Sequence, residues 1–119
     1  MKVFIVEDSA IVRGRIISLI ADNPKIDIVG LSGRPVEAMR LIRELSPDFV
    51  ILDIRLEGGS GIDLLKIIKS ELPGTVVLVL TNYPYQQYQD KCRALGAEYF
   101  LDKSKDFDKI VDILARQAS

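Results

Sequence analysis

The chain has 119 residues, 48% of them apolar and 28% charged, which is the balance of one globular domain large enough to bury its own core. A net charge of −1 gives no basic footprint for a nucleic-acid backbone or an anionic membrane. Histidine is absent, which excludes histidine catalysis, a histidine metal site and a phosphohistidine carrier; a single cysteine, Cys92, excludes an internal disulfide and suits a reducing cytoplasm.

Taken in chain order, short apolar runs alternate with stretches of helical period. Val3–Val6 is predicted as a strand; it ends in the acidic pair Glu7-Asp8, so it is not a secretory signal. Val12, Ile16, Leu19 and Ile20 then share one helical face. The run Ile26–Val29 is the second predicted strand, followed by a helix carrying Ala38, Met39, Ile42 and Leu45. Phe49–Leu52 is unbroken and β-branched, as in a strand buried on both faces, and Asp53 closes it. A loop with Gly58, Gly59 and Gly61 leads to a helix with Leu65, Ile68 and Leu72 inward. The fourth strand, Val76–Leu80, closes on Thr81. The tyrosine-rich segment from Asn82 leads into a helix whose Tyr88, Cys92 and Leu95 pack inward, leaving Tyr83 and Gln86 exposed. The fifth strand, Tyr99–Leu101, precedes Lys103 by one residue, and Phe107, Ile110, Val111 and Leu114 mark the last helix. Prolines 24, 35, 47, 73 and 84 punctuate the junctions.

Five βα units with right-handed crossovers predict a five-stranded parallel sheet, helices on both faces, in the flavodoxin-like order 2-1-3-4-5. The carboxyl ends of such strands open into one crevice. Glu7, Asp8, Asp53, Thr81 and Lys103 would therefore meet there, as acids, a hydroxyl and an ammonium.

In these residues the sequence resembles the receiver domain of bacterial two-component response regulators, over essentially residues 1–119. The resemblance implies that Asp53 is the phosphoacceptor, with Leu56 three and Gly61 eight positions later matching the family pattern; Glu57 stands where proline is usual. It implies Mg2+ held by Asp8, Asp53 and the backbone carbonyl of Arg55, with Glu7 acting through water. Thr81 and Lys103 would bind phosphoryl oxygens, and Thr81 with Phe100 would form the switch. Receivers usually continue from this lysine into proline through a cis bond, whereas Ser104 follows here. The implied partners are a sensor histidine kinase and a downstream protein or an absent output domain. The latter would be met through the face made by the fourth helix, fifth strand and fifth helix, with phosphorylation-dependent homodimerisation a further expectation. The chain ends one helix after the fifth strand, so no output domain is expected within it.

Two other classes fit less well. A haloacid-dehalogenase-type phosphatase wants two aspartates spaced by one residue on the first strand, and Glu7-Asp8-Ser9 does not supply them. A nucleotide or flavin site wants a glycine- or hydroxyl-rich phosphate loop, which Ser9-Ala10-Ile11-Val12 is not. A constitutive interaction module with the fold but without the reaction is the third class.

Overall fold

Phe49–Leu52 (β3) is buried at every position, and the architecture is built outward from it. In the computed structural model, which describes residues 1–119, β3 is flanked by Lys2–Val6 (β1) and Val76–Thr81 (β4). Asp27–Ser32 (β2) and Tyr99–Asp102 (β5) complete the sheet at its edges. All pairs are parallel and the order is β2-β1-β3-β4-β5, as the alternation of runs predicts.

Five helices connect the strands: Ala10–Ile20 (α1), Pro35–Leu45 (α2), Gly61–Glu71 (α3), Gln86–Ala94 (α4) and Lys109–Ala118 (α5). Their starts have local chemical causes. The Ser9 hydroxyl accepts the Val12 N–H, the Ser60 hydroxyl accepts the Ile62 N–H, and Pro35 opens α2 with its φ already suited to a helix. The C-cap of α2, Ser46, takes the left-handed conformation at φ 45°, where glycine is the commoner choice.

The sheet divides the interior in two. On one side, Phe4, Val6, Val50, Leu52, Val77 and Val79 meet α2, α3 and α4 through Ile42, Leu65, Ile68 and Cys92. On the other, Val3, Ile5, Phe49, Ile51, Leu78 and Leu80 meet α1 and α5 through Ile16, Ile20, Ile110 and Leu114. Each such fully buried aliphatic side chain contributes roughly 1.5–3 kcal/mol relative to exposure. Burial pushes the Cys92 thiol up to about 11, so it packs as a small apolar group.

Several details differ from the periodicity. Val111 is exposed and Ile113 is buried in its place, because α5 presents 110, 113 and 114 to the sheet. Strand β2 runs on through Gly30 to Ser32, and its pairing with β1 shifts between Val3 and Phe4. Tyr83 is half-buried rather than exposed, and the loop after β3 folds into a small antiparallel ribbon, Arg55–Leu56 against Gly59–Ser60. The chain has no cis peptide bond, so Lys103–Ser104 is trans.

Candidate functional site

The sheet's hydrogen bonds continue one residue past the strands and so fix where the polar groups stand. The Glu7 N–H donates to the Ser32 carbonyl at 3.0 Å, the Asp53 N–H to Val6 at 3.0 Å, and the Lys103 N–H to Thr81 at 2.9 Å. Adjacent strand ends therefore deliver Glu7, Asp53, Thr81 and Lys103 to one edge of the sheet.

Lys103 joins the group together. Its Nζ lies 2.5 Å from Glu7 Oε1 and 2.9 Å from Asp53 Oδ2. The side chains of Lys103, Glu7 and Asp53 are 9%, 3% and 8% exposed, so this is a buried ion cluster, where partner loss is costly. The sequence implies Lys103 only as a partner of phosphoryl oxygens; its contact with Glu7 is visible in the structure alone. The second Glu7 oxygen accepts the Ser9 N–H at 3.1 Å. Burial raises the Glu7 carboxyl above its ordinary value, with the hydrogen bonds from Lys103 and Ser9 acting the other way. Burial also opposes the charge on Lys103, but the hydrogen bonds and charges of Glu7 and Asp53 outweigh it and raise its pKa.

Asp8 stands at the exposed rim, and carboxylate oxygens of Glu7, Asp8 and Asp53 lie within 4.8 Å of one another. Three carboxylates face one ammonium, which leaves an excess of negative charge. An all-oxygen donor set of this kind fits a hard divalent cation. Gly33 lets this rim close: a Cβ there would come within 2.9 Å of the Asp8 Cα.

Thr81 is fully buried, and its hydroxyl oxygen accepts the Tyr83 N–H at 2.9 Å, leaving its own proton to donate elsewhere. Phe100 is half-buried against the α2–α3–α4 core, in register with Val79 of β4. Arg55 is exposed and its guanidinium lies 4.0 Å over the Tyr83 ring, so the β3 and β4 loops meet beside the crevice. Arg13 was not singled out from the sequence. It donates to the Glu7 carbonyl at 2.7 Å and ties α1 to the acidic turn. An arginine one turn into the helix after two acids is a signal that could have found it.

Residues 3–115 match the family profile of the response regulator receiver domain. The chain belongs to this family. It is 39% identical over 103 residues to the DNA-binding transcriptional activator DevR/DosR of Mycobacterium tuberculosis, covering 87% of this chain and 48% of that protein. It is 31% identical over 115 residues to a protein-glutamate methylesterase/protein-glutamine glutaminase of Methanospirillum hungatei, covering 95% of this chain and 34% of that one. A solved LuxR-family two-component response regulator from an Aurantimonas species superposes with a TM-score of 0.89 at 28% identity, over 98% of this chain and 84% of that one. The chain spans about half or less of the length of these two curated relatives. It is a phospho-signalling domain of the two-component type, and no helix is long and apolar enough to cross a membrane.

Proposed function

We propose that this receiver is a switch operated by phosphorylation of Asp53. The observation that carries the reading is Lys103 Nζ held between Glu7 and Asp53 in a buried ion cluster, with Asp8 at its exposed rim and Thr81 at the neighbouring strand end. An Asp53 carboxylate oxygen attacks the phosphorus of a donor, a phosphohistidine of a sensor kinase or a small acyl phosphate; the bond to the donor breaks and the donor departs with its electron pair. Lys103 orients the attacking carboxylate beforehand and can donate to a phosphoryl oxygen afterwards. The Thr81 hydroxyl, already among the buried groups, would turn its proton toward another of those oxygens. Mg2+, held by Asp8, Asp53 and the Arg55 carbonyl with Glu7 through water, would supply charge to offset the oxygens in transfer.

Movement of Thr81 would release the Tyr83 N–H and open space beside Phe100, which turns inward. The face of α4, β5 and α5 then changes shape for a downstream protein, an output domain or a second copy. Phenylalanine has no hydroxyl with which to report its inward state. We read residues 1–119 as one receiver domain acting in the cytoplasm and turning over no external metabolite. One relative named as a DNA-binding activator and one named as an esterase support an output that lies outside this unit.

Intact mass after incubation with Mg2+ and acetyl phosphate tests the reading. One base-labile phosphoryl group is expected on the wild type, and none on Asp53→Asn or without Mg2+. No gain with any phosphodonor would leave a constitutive interaction module. Arg55, two residues after Asp53, stacks on Tyr83, two after Thr81, and exposed Asn82 stands beside Thr81; by resemblance to receivers these positions shape attack by water, so their bulk should prolong the phosphoryl lifetime. Tyr83→Ala and Asn82→Ala are expected to shorten it about threefold, roughly 0.6 kcal/mol of barrier. Unchanged decay in both variants would remove that role.

A further inference from the structure

Lys103 extends from a connecting segment, yet its ammonium sits within hydrogen-bond distance of two buried carboxylates. A lysine stem has four rotatable carbons, so its aim depends on how firmly the backbone beneath it is held. The bonds around Lys103 supply that hold from one neighbour. Asp102 Oδ1 accepts the Ser104 N–H at 2.9 Å and the Ser104 hydroxyl at 2.7 Å. The Asp102 N–H donates to Asp106 Oδ2 at 3.0 Å, and its carbonyl accepts the Asp106 N–H at 2.8 Å. Lys109 pairs with Asp106 at 2.9 Å. Lys103 thus lies inside a clasp: the residue before it holds the residue after it, and its own N–H is bonded to β4.

We propose that Asp102 is a positioning residue for Lys103, its carboxylate closing the turn that aims the ammonium at Asp53. The inference rests on Asp53 being the phosphoacceptor for its catalytic meaning, though not for its geometry. Asp102 does not touch the reacting atoms. Both Ser104 donors converge on a single oxygen, so the acceptor rather than the charge is required, and asparagine would serve. The Ser104 hydroxyl and N–H hold the Asp102 carboxyl below its ordinary value, as donors to a carboxylate do.

The test measures two things on the whole chain: acetylation of Lys103 by acetic anhydride, read by peptide mass, and phosphoryl uptake from acetyl phosphate with Mg2+. In Asp102→Ala, labelling of Lys103 is expected to rise and uptake to slow, each about fivefold, through a local opening of the turn rather than global unfolding. Asp102→Asn should change neither by more than about twofold, because its carbonyl oxygen keeps both bonds. Combined with Lys103→Met, Asp102→Ala should slow uptake no further, as expected for residues acting through one group. Lys103 as protected in Asp102→Ala as in the wild type would overturn the proposal, as would equal slowing in the Lys103→Met background. If the wild type takes up no phosphoryl group while Asp102→Ala still exposes Lys103, the phosphoacceptor reading fails and the positioning role stands. Should Asp102→Ala lose its melting transition, Ser104→Ala is judged by the same labelling criterion.

Discussion

Replacing Lys103 with methionine is expected to destabilise the fold by about 3 kcal/mol in the absence of divalent cations, because it strands two buried carboxylates. The methionine fills much of the same space, so the loss reports charge rather than packing. Asp53→Asn should behave oppositely, near neutral or stabilising, since it removes one of three mutually repelling acids. Two conditions should relieve Lys103→Met. Millimolar Mg2+ should raise its melting temperature more than that of the wild type, by binding the folded state alone. Acidification should also help, and the sign follows from Glu7. Its folded-state pKa is raised by burial, so its contribution to stability is present at low pH and lost as pH rises through the raised value. Without Lys103 the rise becomes larger. Urea midpoints at several pH values measure the effect; a loss under about 1 kcal/mol would mean the cluster is as solvated as a surface pair.

Gly61→Ala is expected to cost at least about 3 kcal/mol and to abolish phosphoryl uptake in whatever fraction remains folded. A Cβ at Gly61 would overlap the Asp53 carbonyl oxygen and stand 2.8 Å from the Asp53 carbonyl carbon and 2.9 Å from the Ile54 Cα. All three are backbone atoms, so no rotamer change relieves the clash. The Gly61 N–H also donates to the Ile54 carbonyl at 2.6 Å, which draws the start of α3 against the residue after Asp53. Relief therefore requires moving the backbone that carries Asp53 itself. Gly14 is the control: nothing lies within 4 Å of a Cβ there, and Gly14→Ala in α1 should stabilise by about 0.5–1 kcal/mol. Denaturant midpoints and intact mass distinguish the two. Full uptake by Gly61→Ala would show that Asp53 tolerates displacement.

The central strands were legible because β3 and β4 are buried on both faces and therefore read as unbroken apolar runs. Edge strand β2 was harder to bound, since Gly30 and Ser32 interrupt the apolar pattern while the ladder continues through them. The Arg55–Leu56/Gly59–Ser60 ribbon has two residues in each strand, too few for any period to register. In α5, Val111 and Ile113 are equally apolar, and only the direction of the helix toward the sheet separates them. The acids, Thr81 and Lys103 could be gathered from topology alone, because each lies at a strand end. Side-chain partnerships could not: Lys103 to Glu7, Arg13 to the Glu7 carbonyl and Asp102 to Ser104 depend on rotamers and loop paths.

The sheet also acts as a partition with consequences for traffic across the molecule. Side chains from α1 and α5 form one compartment, and those from α2, α3 and α4 form the other. A visitor gripping α1 therefore has no direct side-chain route to α4 through the interior, and a listener on α4 need not compete with it for the same ground. The strands themselves are the common wall, with Val79 facing one compartment and Leu78 and Leu80 the other, so a shift at the strand ends that carry Asp53 and Thr81 can be felt on both sides.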